Sequence, residues 1–116
     1  LGVTVLTSFS NFSIKKVGHT KSIKDLVRRQ ALLAKTAKLD GVVCSAHEIK
    51  FVKNICKKME IVTPGVRLKG QNFDDQKRVA SPKEAFKNGA TSIVMGRSLT
   101  KGNIKSNIQK LIKTLN

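Results

Sequence analysis

Ile61–Thr100, IVTPGVRLKGQNFDDQKRVASPKEAFKNGATSIVMGRSLT, contains two short apolar runs, each broken by a glycine and followed by an arginine. Ile61-Val62 runs into the breaker Thr63-Pro64-Gly65, which stops a strand, and Arg67 follows on a loop containing glycine and lysine. Ile93-Val94-Met95 runs into Gly96-Arg97, and an amphipathic helix lies beyond it. Between them, Ser81-Pro82-Lys83-Glu84 supplies an N-cap, a proline at the first helical position and a capping glutamate, with Gly89 as the stop. The stretch therefore reads strand, loop, helix, strand, and the two glycine-arginine ends suit one oxyanion. A glycine amide approaches an anion closely, a helix start adds partial positive charge, and arginine offers a planar fork of donors. That combination fits a phosphomonoester better than a carboxylate.

The same alternation extends toward the amino terminus. Gly2–Leu6 is a β-branched run ending at Thr7-Ser8, and a loop rich in Ser, Asn and Lys is expected as far as about Thr20. Ser22 and Asp25 have capping-box spacing, and Ile23, Leu26, Val27, Gln30, Ala34 and Ala37 form a helical stripe that closes at Asp40-Gly41. Gly41–Cys44 reads as a buried strand, Ile49 to Met59 as a helix, and Ile104, Ile108, Leu111, Ile112 and Leu115 as one face of a last helix. Four strand-helix units in strict order predict a parallel α/β sheet, with ligand chemistry at the carboxyl ends of the strands. Thr7-Ser8, Ser45-Ala46, Thr63-Pro64-Gly65 and Gly96-Arg97 all fall there, as in an α/β barrel. A closed barrel needs eight strands. Four leave two open edges and a bare inner face, so the chain should open flat, self-associate or require a complementary half.

Composition sets further bounds. The chain has 116 residues, enough for one domain, and 23 basic against 7 acidic side chains give a net charge of +16. Such a charge raises nucleic acid or an anionic surface as partners. However, 18 of the 23 are lysines, Trp and Tyr are absent and the five Phe are scattered, so neither bidentate base reading nor a stacking platform is visible. The charge therefore reads first as a solvated lysine surface set by compositional bias, with nonspecific, salt-sensitive polyanion binding as the alternative. Cys44 and Cys56 form no zinc motif, and Cys44 in GVVCS reads as a buried small hydrophobe. His19 and His47 have no catalytic partner arranged around them. There is no apolar run of membrane-span length and no signal-peptide pattern, so no membrane association and a cytoplasmic location are expected. Leu1 stands at the head of a strand, as if the chain begins within a fold.

VTVLTS at 3–8, LDGVVCSAHE at 39–48, IVTPGVR at 61–67, DDQKRVASP at 74–82 and GRSLT at 96–100 closely resemble orotidine 5′-phosphate decarboxylases. The likeness runs in order over residues 1–116 and corresponds to the carboxyl-terminal half of that family's (β/α)₈ TIM barrel. It implies a lyase of pyrimidine biosynthesis that needs neither metal nor organic cofactor. In that reaction the carboxylate leaves as CO₂, a carbanion forms at C6 of the pyrimidine and a lysine protonates it, giving uridine 5′-phosphate.

By the resemblance, Thr7 and Ser8 contact the pyrimidine and the loop at Pro64 covers it. Arg67 and Gln76 reach the ligand from a mobile closing segment, while the Gly96 amide and Arg97 hold the phosphate. The resemblance also says what this sequence lacks. The family's catalytic lysine sits in an Asp-x-Lys-x-x-Asp pattern on an earlier strand, and no such pattern occurs here. Asp75 and Lys77 imitate its start, but Ala80 stands where the second aspartate belongs, and the segment reads as a loop. No catalytic residue is therefore assigned, and the chain is expected to be inactive alone. Leu68 and Ser98 replace prolines usual after each arginine, which loosens both turns. A noncatalytic nucleotide- or polyanion-binding remnant is the alternative; a four-unit flavodoxin-like domain is disfavoured because no flavin loop is evident.

Overall fold

A computed structural model describes residues 1–70 and 79–116. Its backbone is a four-stranded parallel sheet in the order β1-β2-β3-β4, formed by Gly2–Val3, Gly41–Val43, Glu60–Thr63 and Ser92–Ile93. Register follows the apolar pattern. Val42 pairs with Ile61 and both are fully buried, whereas Val3, Val43, Val62 and Ser92 form the adjacent row on the other face. In that row Val3 is 61% exposed and Ser92 is also exposed, because one face is covered by helices and the other by no helix among the described residues. At Gly41 a Cβ would lie 2.8 Å from the Glu60 carbonyl oxygen, so only glycine allows this close approach of β2 to β3.

Six helices accompany the strands among the described residues: α1 Asn11–Lys16, α2 Ile23–Thr36, α3 Ile49–Ile55, α4 Pro82–Asn88, α5 Arg97–Thr100 and α6 Ile104–Leu115. Ile23, Val27, Ala31 and Ala34 of α2 join Ile49 and Val52 of α3, Val42 and Ile61 in the core. Cys44 and Cys56 are both buried there, and neither is in a disulfide. The α4 start is as read: Ser81 accepts from the Glu84 N–H, Glu84 accepts from the Ser81 N–H, and Gly89 ends the helix at φ 110°. Only glycine adopts that left-handed conformation without a Cβ penalty.

Several boundaries differ from expectation. The segment expected as a loop up to Thr20 contains α1, nucleated by a Ser10–Ser13 box that carries serine in place of the usual glutamate. The turn Arg97–Thr100 is a separate short helix before α6. α3 ends at Ile55 instead of continuing to Met59, because the chain must turn into β3 at Glu60, although Met59 still packs on the core. The ladders of β1 and β4 hold two residues each, shorter than their apolar runs. Among the described residues the edges are open as expected, since β1 pairs there only with β2 and β4 only with β3. The radius of gyration is 14.8 Å, against about 13 Å for a rounded domain of this length, and the extents of 42 × 34 × 18 Å describe an open shell.

Candidate functional site

All four strands run in one direction, so the segments after them lie on one rim. β1 leads into Thr7-Ser8, β2 into Ser45, β3 into Pro64-Gly65 and β4 into Gly96-Arg97. Thr7, Ser8 and Pro64 meet in a hollow of about 300 Å³, together with Val3, Val5, Leu6, Val43, Cys44 and Ser45. Its lining is mainly apolar, with the hydroxyl residues Thr7, Ser8 and Ser45 among it, which suits a flat ring with polar edges. Thr7 is 6% exposed and Ser8 is exposed. Arg67, Gly96 and Arg97 stand on the same rim but outside the lining of this hollow. With strands about 4.8 Å apart, the ends of β1 and β4 are separated by about 14 Å along the sheet.

The loop after β3 is pinned at its base. Val66 bridges to Ala80 in parallel, the Arg67 N–H donates to the Ala80 carbonyl at 2.9 Å, and the Ala80 N–H donates to Gly65 at 3.4 Å. A chain that leaves at Leu68 and returns at Ala80 is thus closed at its neck. Arg67 is 7% exposed, with Nη1 donating to the Val66 carbonyl at 3.2 Å. Gln76 lies outside the described residues, as do Asp75 and Lys77.

Gly96 caps α5, and its carbonyl accepts from the Leu99 and Thr100 N–H groups at 2.9 and 3.1 Å. A Cβ at Gly96 would meet no described residue within 4 Å, and Arg97 next to it is exposed. Ser98 is fully buried and Leu68 is 5% exposed, so both replacements for proline face inward.

Two supports of this rim were not foreseen. Asn107 of α6 is 7% exposed, and its Nδ2 donates to the carbonyls of Leu99 and Lys101 at 3.0 and 2.9 Å, holding the carboxyl end of α5. The only signal in the sequence is a polar residue on a helix otherwise striped with Ile and Leu. Glu48 is 4% exposed, and one of its oxygens accepts from both the backbone N–H and the hydroxyl of Ser45. This repeats the Ser-x-x-Glu spacing seen at 81–84, so it was legible. His47 is exposed and lines the same surface hollow as Glu84, whose carboxyl is held low chiefly by hydrogen bonds from Ser81. Among the described residues no three His, Cys, Asp or Glu side chains gather as metal ligands, and no helix is long and apolar enough to cross a membrane.

Comparison with known proteins places this geometry. The model of the Orotidine 5'-phosphate decarboxylase / HUMPS family matches residues 1–110. An orotidine 5'-phosphate decarboxylase of Wolbachia sp. subsp. Brugia malayi is 47% identical over 113 residues, covering 97% of this chain and 50% of the relative. One from Prochlorococcus marinus (strain MIT 9312) is 48% identical over 103 residues, covering 87% of this chain and 43% of the relative. The crystal structure of orotidine 5'-phosphate decarboxylase from Lactobacillus acidophilus superposes with a TM-score of 0.77 at 32% identity, over 98% of this chain and 47% of that one. The chain spans about half the length of the curated relatives it matches, and its four strand-helix units are half of their TIM barrel. On sequence and fold together, the chain belongs to the orotidine 5'-phosphate decarboxylase / HUMPS family.

Proposed function

We propose that this chain is the carboxyl-terminal, ligand-gripping half of an orotidine 5′-phosphate decarboxylase, and that it binds orotidine or uridine 5′-monophosphate without decarboxylating it alone. Thr7 and Ser8 contact the pyrimidine in the hollow beside Pro64. Arg67 and Gln76 act from the segment that follows β3 in sequence, and the Gly96 amide with Arg97 takes the phosphate. The observation that carries this reading is the convergence of all four strand ends on one rim, with a ring-sized hollow at β1–β3 and an exposed glycine-arginine pair at β4. Hydrogen bonds to a charged group are worth about 1.5–3 kcal/mol each, so Arg97→Ala should weaken binding by about 10- to 150-fold.

The catalytic lysine and aspartates belong to a complementary amino-terminal half, and the exposed sheet face is the surface that half covers. The reaction takes place in the cytoplasm. Calorimetric titration with uridine 5′-monophosphate tests the binding: equal affinity for Arg97→Ala and the parent would leave only lysine-driven attraction, which fades with salt. Co-production with the amino-terminal half of the Wolbachia relative tests the chemistry, and a soluble complex that releases no CO₂ from orotidine 5′-phosphate would defeat it.

A further inference from the structure

A cleft lies at the opposite end of the sheet from the rim above. About 730 Å³ in volume, it opens where α2 and α3 end and the chain turns into β2 and β3. Lys35, Lys38, Lys57 and Lys58 line it, with Asn54 as a neutral donor and Asp40 as the one acid. Lysines at helix carboxyl ends are ordinarily explained by the helix dipole. Here the magnitudes do not balance: four lysines and one aspartate contribute to the lining, and about half a negative charge from each of two helix ends leaves roughly two positive charges.

A second observation is independent of charge. Lys38 has φ 54°, the one non-glycine residue in the left-handed region among the described residues. It occupies the position after the α2 cap where the Leu39 N–H donates to the Ala34 carbonyl and the Lys38 N–H to Lys35, a helix ending that favours glycine. The chain instead carries a lysine in a strained conformation that lines the cleft.

We propose that this cleft at the amino-terminal rim binds a clustered-phosphate anion of the triphosphate class, separately from the phosphate site proposed at Gly96-Arg97. The test is titration of the intact protein, carrying Arg97→Ala to silence the other site, with inorganic tripolyphosphate and with orthophosphate. Saturable tripolyphosphate binding, tighter than orthophosphate, is expected. Lys38→Gly should weaken it about fivefold while raising the melting temperature by about 3–6 °C, since the substitution relieves backbone strain. Loss of affinity with gain of stability excludes damage to the fold as the cause. The proposal is overturned if Lys110→Gln/Lys113→Gln on α6 weakens binding as much as Lys38→Gly, if no saturable site exists, or if single-stranded RNA binds this protein and tripolyphosphate does not.

Discussion

The Ser81–Glu84 box shows how much one pair of side chains decides. Ser81 Oγ accepts the Glu84 N–H at 3.3 Å, and Glu84 Oε2 accepts the Ser81 N–H at 2.9 Å and its hydroxyl at 2.7 Å. Ser81→Ala removes the cap and should cost about 1 kcal/mol, read as a lower denaturation midpoint with an unchanged slope. The hydrogen bonds from Ser81 hold the Glu84 carboxyl below its ordinary value of 4.5. A depressed carboxylate contributes stability that is complete above the unfolded value and is lost as pH falls through the folded one. Glu84→Gln should therefore be less stable than the parent at pH 7, and the difference should vanish in acid below the folded value. Melting curves across that range check it, and a difference constant with pH would refute the cause. Gly41 decides by space instead: its Cβ in Gly41→Ala would meet Glu60 backbone at 2.8 Å, an overpacking that should cost about 1–3 kcal/mol.

Elements were legible where a repeating pattern or a cap defined them. α2, α4 and α6 follow stripes or boxes that sequence alone displays, and the β2 and β3 runs are too short and too apolar for anything but buried strands. α1 and α5 were not legible for a physical reason. α1 has six residues and buries only Ile14, and α5 has four and buries only Ser98, so neither offers a periodicity to read. Of the site, the rim positions Thr7, Ser8, Pro64, Gly96 and Arg97 came from strand-end punctuation, whereas the anchoring of the Arg67 backbone comes from Ala80, thirteen residues away in sequence. Asn107 was hidden because its role is tertiary. It ties α6 to α5, so Asn107→Leu removes both hydrogen bonds that this buried side chain gives to the Leu99 and Lys101 carbonyls and should cost about 1–3 kcal/mol. The same substitution should weaken uridine 5′-monophosphate binding although Asn107 is not proposed to touch the ligand. Titration of a still-folded Asn107→Leu protein with undiminished affinity would show that α5 does not need this tie.

At the scale of the molecule, half a barrel carries apolar surface at both of its seams. On the β1 side Leu1, Val3 and Leu6 are 65, 61 and 57% exposed, and on the β4 side so are Val94, Ile104 and Ile112, at 50, 52 and 52%. α6 turns Asn107 inward and Ile104, Ile108, Ile112 and Leu115 outward, an inversion that a freestanding helix pair gains nothing from. Clustered apolar exposure at the open edge of a sheet marks a surface meant to be covered. Ile104→Lys/Ile112→Lys should accordingly change the stability of this chain alone by less than about 1 kcal/mol, because neither residue is deeply buried within it. It should still abolish capture of the complementary amino-terminal half, where each lysine would have to be desolvated without a partner. Pull-down of that half by parent and variant chains, paired with their melting curves, separates the two effects. Equal capture by both would mean that the outward face of α6 lies outside the seam, and that the barrel closes through the β-strand edges without it.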